Sequence, residues 1–303
     1  LPDFSAIDPA SIAKTISHML DKHRAHLQGL LAQNETFTWD TLLAPMEEMS
    51  DELNKYFSPI GHLHGVMETE SLRKAYNEAL PMLTEYSTEV AHNTALYEAI
   101  QQIADRDDFK QLHPAQRKII ENELRDFKLA GVNLSPEKKH RIAELYQKLS
   151  QLTTKFSENL LDATHAYTLH LTDAKSLAGL PEQTLQLARE QAEQRKLDGY
   201  VITLDYPIYS AVMRYVHNRD LRKSLYEAHI TRASEVGPNA NQFDNTNIMK
   251  EIIATRDEIA HLVGFDNYAA LSLATKMAPS TQEVMRFLTD LLTRGLPLAK
   301  AEH

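Results

Sequence analysis

The spacing of apolar residues constrains this chain more than any other feature. Almost everywhere it recurs at three and four residues, the period of one face of an α-helix. DPASIAKTISHMLDKHRAHLQGLLAQ (8–33) places Asp8 as an N-cap and Pro9 at the first helical position, then sets Ile12, Ile16, Met19, Leu20, Leu27, Leu30 and Leu31 near one face. The same period predicts helices at 39–57, at 71–92 with a kink at Pro81, at 94–104, at 114–131 closed by Gly131, and at 135–164 begun by Ser135 and Pro136. Two short segments depart from it, AYTLHLT (166–172) and GYVITLDY (199–206). Both are β-branched or aromatic, bounded by turn residues, and predict a small antiparallel β pair. A helix lies between them at 181–199, and four more follow at 208–216, 219–234, 247–264 and 267–277. The last helix opens with a capping box, Ser280 to Glu283, and carries Val284, Phe287, Leu288, Leu291 and Leu292 on its inner side. The expected fold class is therefore all-α, mainly α-helical with one small antiparallel β pair. It divides into a helical segment at 1–162, the β pair with its intervening helix at 163–210, and a second helical segment at 211–303.

Composition removes whole classes of partner. The 32 Lys and Arg against 42 Asp and Glu give a net charge of -10, which repels a phosphate backbone and an anionic membrane surface, so neither nucleic acid nor membrane is an expected partner. The absence of cysteine excludes a disulfide framework, thiolate catalysis and a Cys-ligated zinc, and it suits a reducing compartment such as the cytoplasm. No apolar run approaches the ~20 residues of a membrane span, and LPDFSAIDPA lacks the basic and apolar regions of a signal peptide.

Few residue patterns in the chain carry chemistry. Helix-borne zinc hydrolases use His-Glu-x-x-His, because histidines at i and i+4 share a face and the Glu reaches the metal-bound water. None of the 14 histidines is followed by Glu, and His303 is the final residue. His23 and His26 could clamp a metal weakly from one helical face, but two solvated histidines on a surface helix is the plainer reading. Glu-x-x-His, the signature of di-iron carboxylate bundles, occurs three times, as Glu89/His92, Glu137/His140 and Glu258/His261. Glu137 and His140 fall in a first helical turn, where polar residues are capping material. The apolar stripe Ile252, Ile259, Leu262 and Val263 leaves Glu258 toward solvent, so chance pairing is the expected explanation. GHLHG (61–65) has the wrong spacing for a phosphate cradle. Tyr200, Tyr206, Tyr209 and Tyr215 cluster near the β pair, as packing or as a binding surface.

Eight stretches taken in order, LPDFSAI, FSPIGHL, LPMLTEYST, LRDFKLAGVNL, KFSENLLDAT, GYVITLDYPIYSAVMRY, TRASEVGPNANQFDN and LVGFDNYAALSLATKMA, resemble the N-terminal half of the thimet oligopeptidase family of zinc metallopeptidases. The resemblance implies a neurolysin-like N-terminal helical domain, forming one wall of a channel that admits short peptides to a zinc ion. The family's His-Glu-x-x-His, its further Glu ligand and its Tyr and His stabilisers lie in a second half, and no position here matches them. No catalytic, cofactor-binding or metal residue is therefore assigned. This chain alone is expected to bind no zinc and to be inactive, with the catalytic half as its missing partner. TDLLTRGLPLAKAEH (289–303) stops with its amphipathic pattern at full strength, and exposed apolar side chains there would favour self-association. The alternative is a free-standing helical peptide-binding module without catalysis.

Overall fold

The computed structural model describes residues 2–32 and 36–302, so Gln33, at the end of the first expected helix, and His303 lie outside the described residues. Among those described, twelve α-helices and one two-stranded antiparallel sheet account for the regular structure apart from short 3-10 and π turns. The chain forms two compact units, one of Leu1–Gln151 with Ala254–His303 and one of Leu152–Ile253.

The first unit starts with α1 (Pro9–Ala32), where Asp8 Oδ1 accepts from the Ala10 amide at 3.0 Å, as an N-cap should. Its stripe of Ile12, Ile16 and Leu20 packs on Ile60 of α2 (Ala44–Val66) and on Leu72, Ala75 and Ala79 of α3 (Glu70–Ala91). The two alanines allow close approach of the α1 and α3 backbones. Further along, Leu27 and Leu30 join a second cluster with Leu42, Leu43 and Met49, with Leu96, Ile100 and Ile103 of α4 (Thr94–Ala104), and with Ile120 and Phe127 of α5 (Pro114–Ala130). Gly131 closes α5 in the left-handed region, with φ of 93°. Ile142 and Leu145 of α6 (Pro136–Ala166) pack on Ile259 of α10 (Thr246–Leu262). The short α11 (Tyr268–Leu273) precedes α12 (Thr281–Glu302).

Two details correct the expectation. The apolar period predicts a helix ending at Phe57, but α2 continues through Pro59 to Val66. Ile60 is fully buried and Leu63 packs beside it, so burial outweighs the backbone bond that proline removes. In α12 only half of the capping box forms: Ser280 Oγ accepts from the Glu283 amide at 3.1 Å, while the Glu283 carboxylate turns to Arg286 at 2.6 Å.

In the second unit β1 (Thr168–Leu171) runs antiparallel to β2 (Tyr200–Thr203), with Thr168 opposite Thr203 and Leu171 opposite Tyr200. Between the strands lies α7 (Glu182–Gln194); α8 (Tyr206–Tyr215) and α9 (Arg219–Ile230) follow β2. All four residues of β2 are buried, and Tyr200 and Ile202 join a core with Ala188, Ile208, Val212 and Leu225. A polar tie secures the unit: Asn159 Nδ2 donates to Asn245 Oδ1 at 2.9 Å, and Asn245 Nδ2 donates to the Phe156 carbonyl at 3.0 Å. The four tyrosines divide between roles. Tyr200 is buried, Tyr209 stacks on His229 with centroids 3.9 Å apart, and Tyr206 and Tyr215 stay exposed.

Candidate functional site

The three Glu-x-x-His pairs do not converge. Glu89 accepts from Arg24 Nε at 2.7 Å, whereas His92 Nε2 lies 2.9 Å from the Ala130 carbonyl. His140 faces Glu144 at 3.2 Å. Glu258 takes a bidentate contact from Arg141 at 2.6 and 3.0 Å, and His261 turns to Asp257. Each pair is engaged by a neighbour of its own, and as a donor set they do not fit a zinc ion, which needs ligand atoms aimed at one point.

His23 departs from its expected place on a solvated face. It is 1% exposed, because its position continues the stripe Ile16, Leu20, Leu27, while His26 remains at the surface. Buried there, His23 Nε2 sits 3.4 Å from Glu52 Oε2, and Glu52 also takes Lys22 Nζ at 2.9 and 3.0 Å. Lys22 first, and His23 second, hold the Glu52 carboxyl below its ordinary range.

His23 and Leu27 form the floor of a groove of about 670 Å³, a size ordinary for ligand sites. Helix α2 supplies one side through Met46, Glu47, Met49, Ser50, Leu53, Asn54 and Phe57. The other comes from Leu80, Leu83, Tyr86, Ser87 and Val90 of α3 and from Glu123, Asp126 and Phe127 of α5. Most of this lining is apolar, and its polar groups are the carboxylates of Glu47, Glu123 and Asp126 together with His23, Ser50, Asn54, Ser87 and the Tyr86 hydroxyl. Burial pushes the Glu123 carboxyl up, and the charges of Asp126 and Glu47 push it further, against the pull of Arg125. Arg125 is already committed, to Asp126 at 2.8 Å and to Asn122 at 3.0 Å. Among the described residues neither Glu47 nor Glu123 has an ion-pair partner. Tyr86 lines the groove 6.1 Å from the His23 ring, with the Arg24 guanidinium 5.6 Å from its own ring centroid. Burial raises its phenol above the usual range.

Such an arrangement can bind but holds no nucleophile beside a base. The sequence does not show it because its lining comes from four helices and runs from His23 to Ala130 along the chain. Locally, Leu27, Leu43 and Phe127 read only as core and Glu47 and Glu123 only as surface. In the second unit, a cavity of about 500 Å³ lies among Thr172, Asp173, Arg189, Glu193, Asp198 and Tyr200. There the Arg189 guanidinium donates to the Tyr200 hydroxyl at 3.2 Å.

Comparison with known proteins places the whole chain. The family profile described as "Neurolysin/Thimet oligopeptidase, N-terminal domain" matches residues 16–139, and that of "Peptidase family M3" matches residues 212–303. Oligopeptidase A of Escherichia coli strain K12 is 44% identical over 302 residues, covering 100% of this chain and 44% of that protein. Oligopeptidase A of Haemophilus influenzae is 43% identical over 302 residues, again with 100% of this chain and 44% of the relative covered. The organellar oligopeptidase A of Arabidopsis thaliana is 33% identical over 284 residues, 91% of this chain and 35% of the plant protein. The chain thus spans less than half the length of these relatives. With two profiles falling in order and identity running its full length, this helical chain belongs to peptidase family M3, with the neurolysin/thimet oligopeptidase N-terminal domain at its start.

Proposed function

We propose that this chain is the helical, peptide-facing wall of a zinc-dependent metallo-oligopeptidase that hydrolyses short peptides in the cytoplasm. One observation carries the reading: identity of 44% runs over the entire chain to a protein named for oligopeptide hydrolysis, of which the chain covers only 44%. The catalytic groups then belong to the remaining length of such a protein. None of the histidines before His303 is followed by Glu, which supports that division of labour. A wall contributes binding energy along an extended peptide, and it excludes folded proteins by size. The absence of cysteine suits a reducing compartment.

Helix α12 supports a partnered role. It buries no residue, and Met285, Phe287, Leu288, Leu291 and Leu292 are all exposed along it. The remaining length of the enzyme covers this face in the proposed assembly, and in its absence a second copy of the chain does so. The groove of the first unit favours the second reading, a peptide-binding module acting without catalysis, because it is built to bind and not to cleave.

Equilibrium dialysis against zinc, with cleavage of a short fluorogenic peptide followed in parallel, tests the assignment. The chain alone is expected to retain no stoichiometric zinc and to cleave nothing. One tightly held ion per chain with chelator-sensitive cleavage would place an active site here and overturn the division.

A further inference from the structure

The groove between α2 and the α3–α5 side carries more than a general capacity to bind, and its occupant can be read from its lining. We infer that it is a docking site for an extended, apolar peptide segment that presents one lysine or arginine side chain to Glu123, Glu47 and Asp126. The inference goes beyond the channel-wall reading and stands without it, since it concerns a surface of the first unit alone.

Three observations fix the chemistry. The first is size: the lining of α2 from Met46 to Phe57 extends roughly 16 Å at the helical rise, which matches about five residues of extended chain. With about 670 Å³ available, side chains as well as backbone fit. The second is charge. Three carboxylates line the groove, the one arginine near them is held by Asp126 and Asn122, and Lys22 is held by Glu52 outside the lining. Among the described residues Glu47 and Glu123 have no cation within ion-pair distance. An anionic occupant is repelled, and a purely apolar one would seal the half-buried Glu123 away from water without a partner, which is costly. A cation at the end of an aliphatic stem satisfies both demands, because its stem lies along apolar wall while its head meets the carboxylates. The third is position. Apolar side chains flank Glu47 on both sides along the chain, Leu43 and Met46 before it, Met49 and Leu53 after, so the occupant continues past the acids in both directions. A side chain in mid-peptide does this, whereas a free amino terminus would have to end there.

Isothermal titration calorimetry of the full chain with the blocked peptide acetyl-Leu-Ala-Lys-Leu-Phe-amide, and with its counterpart carrying norleucine in place of lysine, tests the inference. Blocked termini leave the lysine as the only peptide charge. The lysine peptide is expected to bind at least about tenfold more tightly than the norleucine peptide, as a partly desolvated charge pair provides. Glu123→Gln should collapse that difference. Ser50→Lys, which places a cation inside the groove from α2, should abolish binding of the lysine peptide. Circular dichroism of both variants checks that the fold is retained, and Glu98→Gln, outside the groove, serves as the control that changes nothing. Equal affinities for the two peptides, a lysine preference that survives both variants, or no binding at millimolar peptide would each overturn the inference. So would an affinity that weakens as protein concentration rises, which would show a second copy of the chain in the groove.

Discussion

Helices α1 and α12 are nearly equal in length and both amphipathic, yet they end in opposite circumstances. Helix α1 buries Ile12, Ile16, Leu20, His23, Leu27 and Leu30, while α12, with as clear an apolar stripe, buries none. The difference lies outside both helices. Ala75 and Ala79 of α3 leave room for α1 to pack closely, and α2 and α4 close over its second half. Along α12 the side chains from Met285 to Glu302 are all exposed. A helical period thus announces that a face exists, and the rest of the molecule decides whether it is covered.

The largest effect that separates the two helices is a core truncation. Ile16→Ala should lower the unfolding free energy by about 3 kcal/mol, the cost of a cavity in a fully buried site, whereas Leu291→Ala should stay within about 0.5 kcal/mol. Urea unfolding of both variants measures it, and equal losses would mean that α12 is buried in solution. Capping sharpens the contrast. Asp8→Ala should cost about 1 kcal/mol of global stability, because α1 cannot fray without unpacking the core. Ser280→Ala should leave the urea midpoint unmoved and instead speed amide hydrogen exchange in the first turn of α12.

The exposed stripe also predicts association. Leu288→Lys combined with Leu292→Lys should reduce self-association of the chain in light scattering and leave its unfolding midpoint unchanged. A clean monomer at high concentration before substitution would remove this role for α12. The smallest expected effect concerns Glu123, whose carboxyl burial and neighbouring acids hold above its ordinary value of 4.5. The native state therefore binds that proton more tightly than the unfolded chain, and stability is lost as pH rises from 4.5 through the raised value. Glu123→Gln should remove this loss, so that the variant's urea midpoint falls less between pH 4.5 and pH 7 than that of the parent chain.

Much of the fold was legible in the sequence because its signals are local. Asp8 caps α1, Gly131 closes α5, and the period-two segments around Leu169 and Val201 pair as expected, since each depends on a few adjacent residues. What was not legible required distant partners. The period predicts a helix only over 39–57, and its continuation past Pro59 rests on the full burial of Ile60; His23 reads as solvated until Tyr86 and Glu52 come beside it. The groove was hidden for the same reason, since Glu47 and Glu123 lie far apart in the chain and only the packing of α2 and α5 around α1 and α3 makes them one site. Glycine gives an intermediate case. Gly179 is an ordinary turn residue in the sequence, but with φ of 95° its missing Cβ would lie 2.2 Å from the Tyr215 carbonyl oxygen, so Gly179→Ala should destabilise the second unit.

The proposed function requires that this chain and the remaining length of an M3 oligopeptidase make one peptide-cleaving unit that neither makes alone. Mixing the chain with a separately produced polypeptide spanning the rest of an oligopeptidase A, and following cleavage of a short fluorogenic peptide with and without a chelator, tests it most directly. Each piece should be silent, and the mixture should show chelator-sensitive cleavage. Cleavage by this chain alone, or continued silence from a mixture whose pieces are shown to bind each other, would contradict it.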